Sequence, residues 1–441
     1  MAFTRMARAL SVTALTGALI LTATPTASAD QTRRNQWALD ALNAESVWKI
    51  TKGRGVTVAV IDSGVNAEHV DLKSNVLKGR DFTDGDDDPS PNAGDGEPEH
   101  GTAMASVIAG HGHGRDAADG VMGLAPEAKI LPIRDRSGGF ADEIRYAVDQ
   151  GASIINMSIS SDQTFPEDRE AVAYALEHDV LIVAASGNEG KGDSVTYPKN
   201  YPGVLTVGGV DNGGNIWKGS NYGPEVLLSA PATHIVSAGW PGNDTIRSGT
   251  GTSDATAFVS AAAALLKSKF PDLTAGQIAN RLVKTAALPN AEKGLSLPDE
   301  KYGYGIIQPL AALKDNIPVG SKYGPLTVPE SLKEKSATPA LGASEDEQEN
   351  ADQKALIIWA AIGVATLAVI GLVTLLVVKR SRRSRNGDGG PADSATAVGY
   401  PQYGQQPYPQ QNPYHQPVPP QQPNPYQQQP APPQGQWPPQ E

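Results

Sequence analysis

The chain has 441 residues, a formal net charge of −12 and no cysteine. The acidic balance argues against nucleic acid as a partner. The missing thiol excludes disulfides, cysteine-ligated metals and a cysteine nucleophile, so a fold of this size must rest on burial alone.

Residues 1–29 carry Arg5 and Arg8, then an apolar run through Leu21, then Ala27-Ser28-Ala29. A positive start, an apolar middle and a small-x-small site read as a secretory signal peptide, with the mature chain expected from Asp30. Residues 30–55 form a short N-terminal extension. It lies before Asp62, and the space between is smaller than the roughly 40 residues that a separate folded domain needs.

From 56 to 316 apolar runs alternate with amphipathic segments. Val56–Ile61, Ile130–Ile133, Ser153–Met157, Val180–Ala185 and Leu205–Val207 are mostly apolar without alternation, as strands covered on both faces are. Ala103–Ala109, Glu143–Gln150 and Glu167–Glu177 have helical character between them. This alternation predicts an α/β domain, a doubly wound parallel sheet with helices on both faces, whose site lies at the carboxyl ends of the strands. A further helix begins near Ser253, with Ala255, Phe258, Val259, Ala262 and Leu266 expected on one buried face.

After this domain, residues 317–354 are polar and read as a stalk. The run from Ala355 to Val378 holds no charge and is long enough to cross a hydrocarbon core of about 30 Å. Lys379-Arg380-Ser381-Arg382-Arg383 follows it and belongs on the cytoplasmic side. The remainder of 379–441 is rich in Pro, Gln and Tyr and reads as a solvated low-complexity tail, its Pro-Tyr pairs at Tyr408, Tyr414 and Tyr426 included. The expected location is therefore a single-pass membrane protein, with the main domain outside the cytoplasm and the tail inside.

Four segments in the domain carry chemistry. Asp62 follows the first apolar run, His100 opens a helix of small residues, Asn188 sits between glycines after another run, and Ser253 opens the alanine-rich helix. Taken singly they read as a turn aspartate, a structural histidine, a turn asparagine and a helix cap. Taken together they supply a nucleophile, a base, a carboxylate to hold the base, and an amide donor for an oxyanion.

Asp62-Ser63-Gly64, His100-Gly101-Thr102 and Gly251-Thr252-Ser253-Asp254-Ala255 resemble the three signatures of the subtilisin-like serine proteases, the subtilases. The resemblance runs from about Gln36 to Leu313 and includes Tyr302-Gly303-Tyr304-Gly305-Ile306-Ile307. It implies a subtilisin-like fold and a serine endopeptidase with Asp62, His100 and Ser253 as triad and Asn188 in the oxyanion hole. Ser137, Gly138 and Gly139, with Ser158 and Ser160, would bind an extended polypeptide substrate as strand edges. Three departures stand out: Ser160 replaces a usual glycine, Ala257 a usual proline, and Asp254 follows the nucleophile.

The combination of short extension, protease domain, stalk, membrane segment and cytoplasmic tail resembles the mycosins, membrane-anchored subtilases of actinobacterial type VII secretion systems. Subunits of such a complex are then expected partners, beside the substrate and the membrane. A scaffold subunit with secondary proteolysis is the alternative. No cofactor is required. A structural calcium in the acidic stretch Asp81–Asp88 lacks ordered ligand spacing, so a solvated loop is expected there, and His111 and His113 read as a polar surface loop rather than a metal site.

Overall fold

The computed structural model describes residues 29–136 and 138–337. The signal-peptide reading of 1–29 falls outside them but for its last residue. The membrane-helix reading of 355–378, the tail from 379 and the substrate-binding role expected of Ser137 also lie outside the described residues. Among the described residues no helix is long and apolar enough to cross a membrane.

The strands are β1 (Thr57–Asp62), β2 (Arg80–Asp81), β3 (His111–His113), β4 (Asp119–Met122), β5 (Lys129–Arg134), β6 (Ile154–Met157), β7 (Leu181–Ala185), β8 (Leu205–Val210), β9 (Val226–Pro231), β10 (Ile235–Ala238) and β11 (Ile246–Gly249). Seven of them form a parallel sheet in the order β2-β5-β1-β6-β7-β8-β9. Because side chains alternate along a strand, β1 sends Val58 and Val60 into one core and Ala59 and Ile61 into the other. Helices His100–Ala109, Thr252–Lys269 and Ala275–Thr285 cover the first face, and Ala141–Asp149 and Pro166–Glu177 the second. The predicted doubly wound sheet is the one observed.

From β1 the chain runs to the edge strand β2, returns to β5 beside β1, then crosses to place β6 on the other side of β1. Connections to left and right diverge there, which leaves a crevice at the carboxyl ends of β1, β5 and β6.

The helix Thr252–Lys269 differs from its predicted amphipathic form. Every residue from Thr252 to Leu266 is buried, not one face of them. It runs through the middle of the larger core, and its alanines and serines let the sheet and the neighbouring helices approach from all sides.

The N-terminal extension is fastened to the domain by its own polar groups. Trp37 Nε1 donates to Thr233 O and Trp48 Nε1 to Leu124 O, both at 2.9 Å. The Gln36 side chain both donates to and accepts from the backbone of Met122, so its amide acts as an extra strand edge.

Three expectations need correction. The stalk predicted from 317 does not begin there: Leu326 and Leu332 are buried in the larger core, with Tyr323 and Val328 packed against it. Its apolar residues are too sparse among charges to show a period, yet Gly276 admits this segment closely, since a Cβ there would lie 2.1 Å from the Tyr323 carbonyl carbon. Leu326→Ala is expected to cost about 2–4 kcal/mol, read as a lower urea midpoint, whereas a stalk residue would leave the midpoint unmoved.

The acidic stretch Asp81–Asp88 is not wholly solvated. Asp81 is buried and pairs with the guanidinium of Arg134 at the end of β5, which also reaches Asp84 and Asp95. Pairing of β2 with β5 sets Asp81 opposite Arg134, so the sheet itself brings the charges together. His111 and His113 form a short antiparallel pair with β4 instead of a loop. His113 Nδ1 lies 2.6 Å from Oδ1 of the fully buried Asp71, and the His111 ring nitrogens lie beside the carbonyls of Gly112 and Lys73.

Candidate active site

Asp62 is the last residue of β1 and is 1 % exposed. A buried carboxylate must be compensated, and here the partners are the backbone N–H of Ser63 and the ring of His100. His100 Nδ1 lies 2.8 Å from Asp62 Oδ1 and 3.0 Å from Oδ2. Gly101 makes this approach possible. A Cβ on it would stand 2.3 Å from Gly64 O and 3.1 Å from Asp62 Cβ, so any larger residue would push the helix start away from β1. Ser63 Oγ accepts from Gly101 N and Thr102 Oγ1 accepts from Asn66 N, which pins the two turns together.

Two opposed effects set the imidazole. Burial disfavours its charged form, but the charge and hydrogen bond of Asp62, with the charges of Asp254 and Glu97, outweigh that and push its pKa up to about 9.

The helix carrying Ser253 begins at Thr252, with Gly251 as its N-cap residue. Ser253 is therefore in the first turn and not the cap, and its hydroxyl donates to the Ser158 carbonyl at 3.3 Å. Ser158 Oγ in turn donates to the Ser253 carbonyl at 3.1 Å. These reciprocal bonds tie the end of β6 to the turn that carries Ser253. Asn156 reinforces them from inside the sheet, donating to Ser158 Oγ and accepting from Ser260 Oγ.

Asn188 follows β7. Its Oδ1 accepts from both the backbone N–H and the hydroxyl of Thr252, each at 2.9 Å. The backbone N–H can only donate, which settles which end of the amide is oxygen and leaves Nδ2 as the donor on the other side. Thr252 Oγ1 also accepts from Gly187 N, so a single buried threonine sets both the asparagine and its loop.

Asp62, His100, Ser158, Asn188 and Ser253 line one cavity of about 400 Å³, together with Ser63, Arg134, Asp135, Ile159 and the acidic Asp95 and Glu97. Ser160 is exposed and stands outside this lining, as do Gly138 and Gly139, whose φ angles of 118° and 141° favour glycine.

Sequence reasoning missed Asn156, Thr252 and Arg134 as supports of this site. Asn156 left a signal, an amide inside the apolar run Ile154-Ile155-Asn156-Met157, where an unpartnered polar group would be costly. Arg134 at the end of Ile130–Ile133 is a similar case.

The profile of the subtilase family matches residues 53–305. An intracellular serine protease of Paenibacillus polymyxa is 38% identical over 272 residues, covering 58% of this chain and 81% of that protein. Mycosin-1 of Mycolicibacterium smegmatis is 32% identical over 358 residues, covering 67% of this chain and 76% of that one. The crystal structure of MycP1 from the ESX-1 type VII secretion system superposes with a TM-score of 0.54 at 31% identity, covering 66% of this chain and 88% of that one. With its strand order, its crevice and these relatives, the chain belongs to the subtilase family of serine endopeptidases, and mycosins are among the members it resembles.

Proposed function

We propose that the chain is a membrane-anchored, extracytoplasmic endopeptidase that hydrolyses polypeptides through Asp62, His100 and Ser253, in the manner of a mycosin associated with type VII secretion. One observation carries the reading: the Asp62–His100 pair, Asn188 and Ser253 converge on a single open cavity.

His100 accepts the Ser253 proton through Nε2 while Asp62 holds Nδ1 and stabilises the imidazolium. Ser253 Oγ leaves the Ser158 carbonyl and attacks the peptide carbonyl; catalytic hydrogen bonds commonly tighten only once substrate is bound. The oxyanion takes hydrogen bonds from Asn188 Nδ2 and the Ser253 backbone N–H, at a helix N-terminus that favours negative charge. The imidazolium protonates the leaving amine, and water, activated by the same base, then releases the acyl group. The segments around Gly138–Gly139 and Ser158–Ser160 bind the extended substrate on either side.

Anchoring rests on the charge-free run Ala355–Val378, the basic residues after it and the signal-peptide pattern before Asp30. Labelling whole cells with a fluorophosphonate and then fractionating them tests the proposal. The expected result is a labelled band in the membrane fraction with the adduct on Ser253. Label in the culture supernatant would overturn the anchoring, and an adduct elsewhere would overturn the nucleophile.

Similarity to MycP1 from the ESX-1 type VII secretion system also favours a scaffolding role. Restoration of complex assembly by Ser253→Ala would assign that role to the fold, and failure would tie assembly to catalysis.

A further inference from the structure

Glu143, in the first turn of the helix Ala141–Asp149, has no part in the mechanism above. Its side chain is 0 % exposed, and neither carboxylate oxygen has a hydrogen-bond partner. A carboxylate removed from water in this way costs the fold stability. Such a cost persists where function uses the group.

The cation that answers it is Arg136. Its Nε lies 3.5 Å from Glu143 Oε1, while its Nη2 donates to Asp142 Oδ2 at 2.8 Å. The two carboxylates differ in strength. Asp142 is 60 % exposed, so its pair with the half-exposed Arg136 is screened by solvent. Glu143 acts from inside the fold, where a charge is felt more strongly.

Arg136 stands just before Gly138-Gly139, the first of the two segments assigned to the substrate. The far end of that segment is fixed. Phe140 N donates to Asp168 Oδ1 at 2.7 Å, and the buried Asp168 also accepts from Tyr201 OH. A Cβ on Gly139 would meet Phe165 at 3.5 Å and Asp168 at 3.6 Å, whereas one on Gly138 would meet nothing within 4 Å. Both glycines have positive φ and the wide backbone freedom of that residue. The near end of the edge therefore depends on Arg136 and on what holds it.

We propose that Glu143 is a positioning residue for this edge: its buried carboxylate holds Arg136, and so keeps the near end of Gly138-Gly139 in place for pairing with a polypeptide. The inference rests on the reading of Gly138-Gly139 as a substrate edge.

Titration of Glu143 makes the hold depend on pH. Burial, with the charges of Asp135 and Asp142, pushes its pKa up to about 7 against the pull of its own backbone N–H and of Arg136. Asp135 and Arg136 face it from the chain after β5, and Asp142 from its own helix. The helix Pro166–Glu177 packs alongside, with Asp168 bonded to Phe140 and Tyr201, and Glu170 lying 3.9 Å from Arg145. Above about 7 Glu143 is charged and attracts Arg136; below that the carboxyl is neutral and the attraction is lost. A carboxyl raised from 4.5 to about 7 also costs the fold stability as pH rises through that range.

The test compares two aminoalkyl diphenyl phosphonates with the same terminal residue on the full detergent-solubilised chain. One carries that residue alone, and the other carries four residues and reaches along the edge. Both react with Ser253 through His100, so the ratio of their inactivation rates cancels the base and reads the edge. In the wild type the ratio of long to short is expected to fall about three- to tenfold from pH 8 to pH 6, since the substrate must then order the edge itself. Glu143→Gln, isosteric and uncharged, should show the low ratio at both pH values. Its urea midpoint at pH 8 should be no lower than that of the wild type, because a buried charge is gone. Arg136→Gln should behave alike, and the double variant no worse than either.

Where Glu143→Gln fails to fold, Arg136→Gln, on the exposed side of the pair, carries the test. A ratio that keeps its wild-type size and pH dependence in these variants would overturn the role of Glu143 while leaving the edge intact. A wild-type ratio near one at every pH would instead remove Gly138-Gly139 from the substrate site. An adduct on a residue other than Ser253 would overturn the endopeptidase reading itself.

Discussion

Replacing Ser253 by alanine is expected to lower kcat/KM on a peptide substrate by about 10³- to 10⁶-fold, with His100→Ala costing as much and the double variant no more than either. Non-additivity follows from the chemistry. A serine hydroxyl without a base is a poor nucleophile, and a base without the hydroxyl has no proton to take. What survives comes from Asn188, the helix N-terminus and substrate positioning, which neither change removes. Asn188→Ala removes one oxyanion donor and should lower kcat by about 10²- to 10³-fold with little change in KM, because the oxyanion exists only past the ground state. Steady-state kinetics on one fluorogenic peptide separate these outcomes. Additive losses for Ser253 and His100 would mean that the two do not act on the same proton, and an effect of Asn188→Ala on KM alone would move it out of the oxyanion hole.

Arg134→Met is expected to destabilise the domain by about 3–5 kcal/mol, seen as a large drop in the urea midpoint. The reason lies in Asp81. It is 1 % exposed, pairs with Arg134 across β2 and β5, and also accepts from the backbone N–H groups of Thr83 and Asp84. Removing the guanidinium leaves that carboxylate buried with no countercharge. Asp84 contributes little, since its side chain is 60 % exposed and screened by solvent. Adding Asp81→Asn should recover most of the loss, because the buried charge goes with its partner. If the double variant is as unstable as Arg134→Met, packing of the arginine stem and not charge is what holds this corner. Arg134 and Asp95 also line the cavity that holds His100 and Ser253, so the single variant is expected to bind substrate less well even where it folds.

Much of this architecture is visible in one dimension because the sheet is covered on both faces. Val56–Ile61, Ile130–Ile133 and Val180–Ala185 are apolar on both faces but for Thr57, and each coincides within a residue or two with β1, β5 and β7. Strand β9 and the helix Ala275–Thr285 went unread. Val226–Pro231 is interrupted by Ser229, whose hydroxyl donates to the carbonyls of Lys301 and Tyr302 only in the fold. The helix carries Gly276 and the buried Arg281, which bonds the carbonyls of Ala312 and Asp315. In each case a polar atom inside an element is satisfied by chain far away, so the local pattern looks broken.

By itself the sequence determined the fold class and the residues that can carry the chemistry. It did so because strand periodicity and the Asp62, His100 and Ser253 motifs are local properties of short segments. Only the tertiary structure decided how those segments meet. It made Ser253 a first-turn residue bound to Ser158 instead of a cap, and oriented Asn188 by way of Thr252. It filled the acidic stretch with Arg134 and drew the polar segment up to Leu332 into the core. All of these depend on distances between residues remote in the chain, set by the crossover from β5 to β6 and by the small residues that let the central helix lie against the sheet.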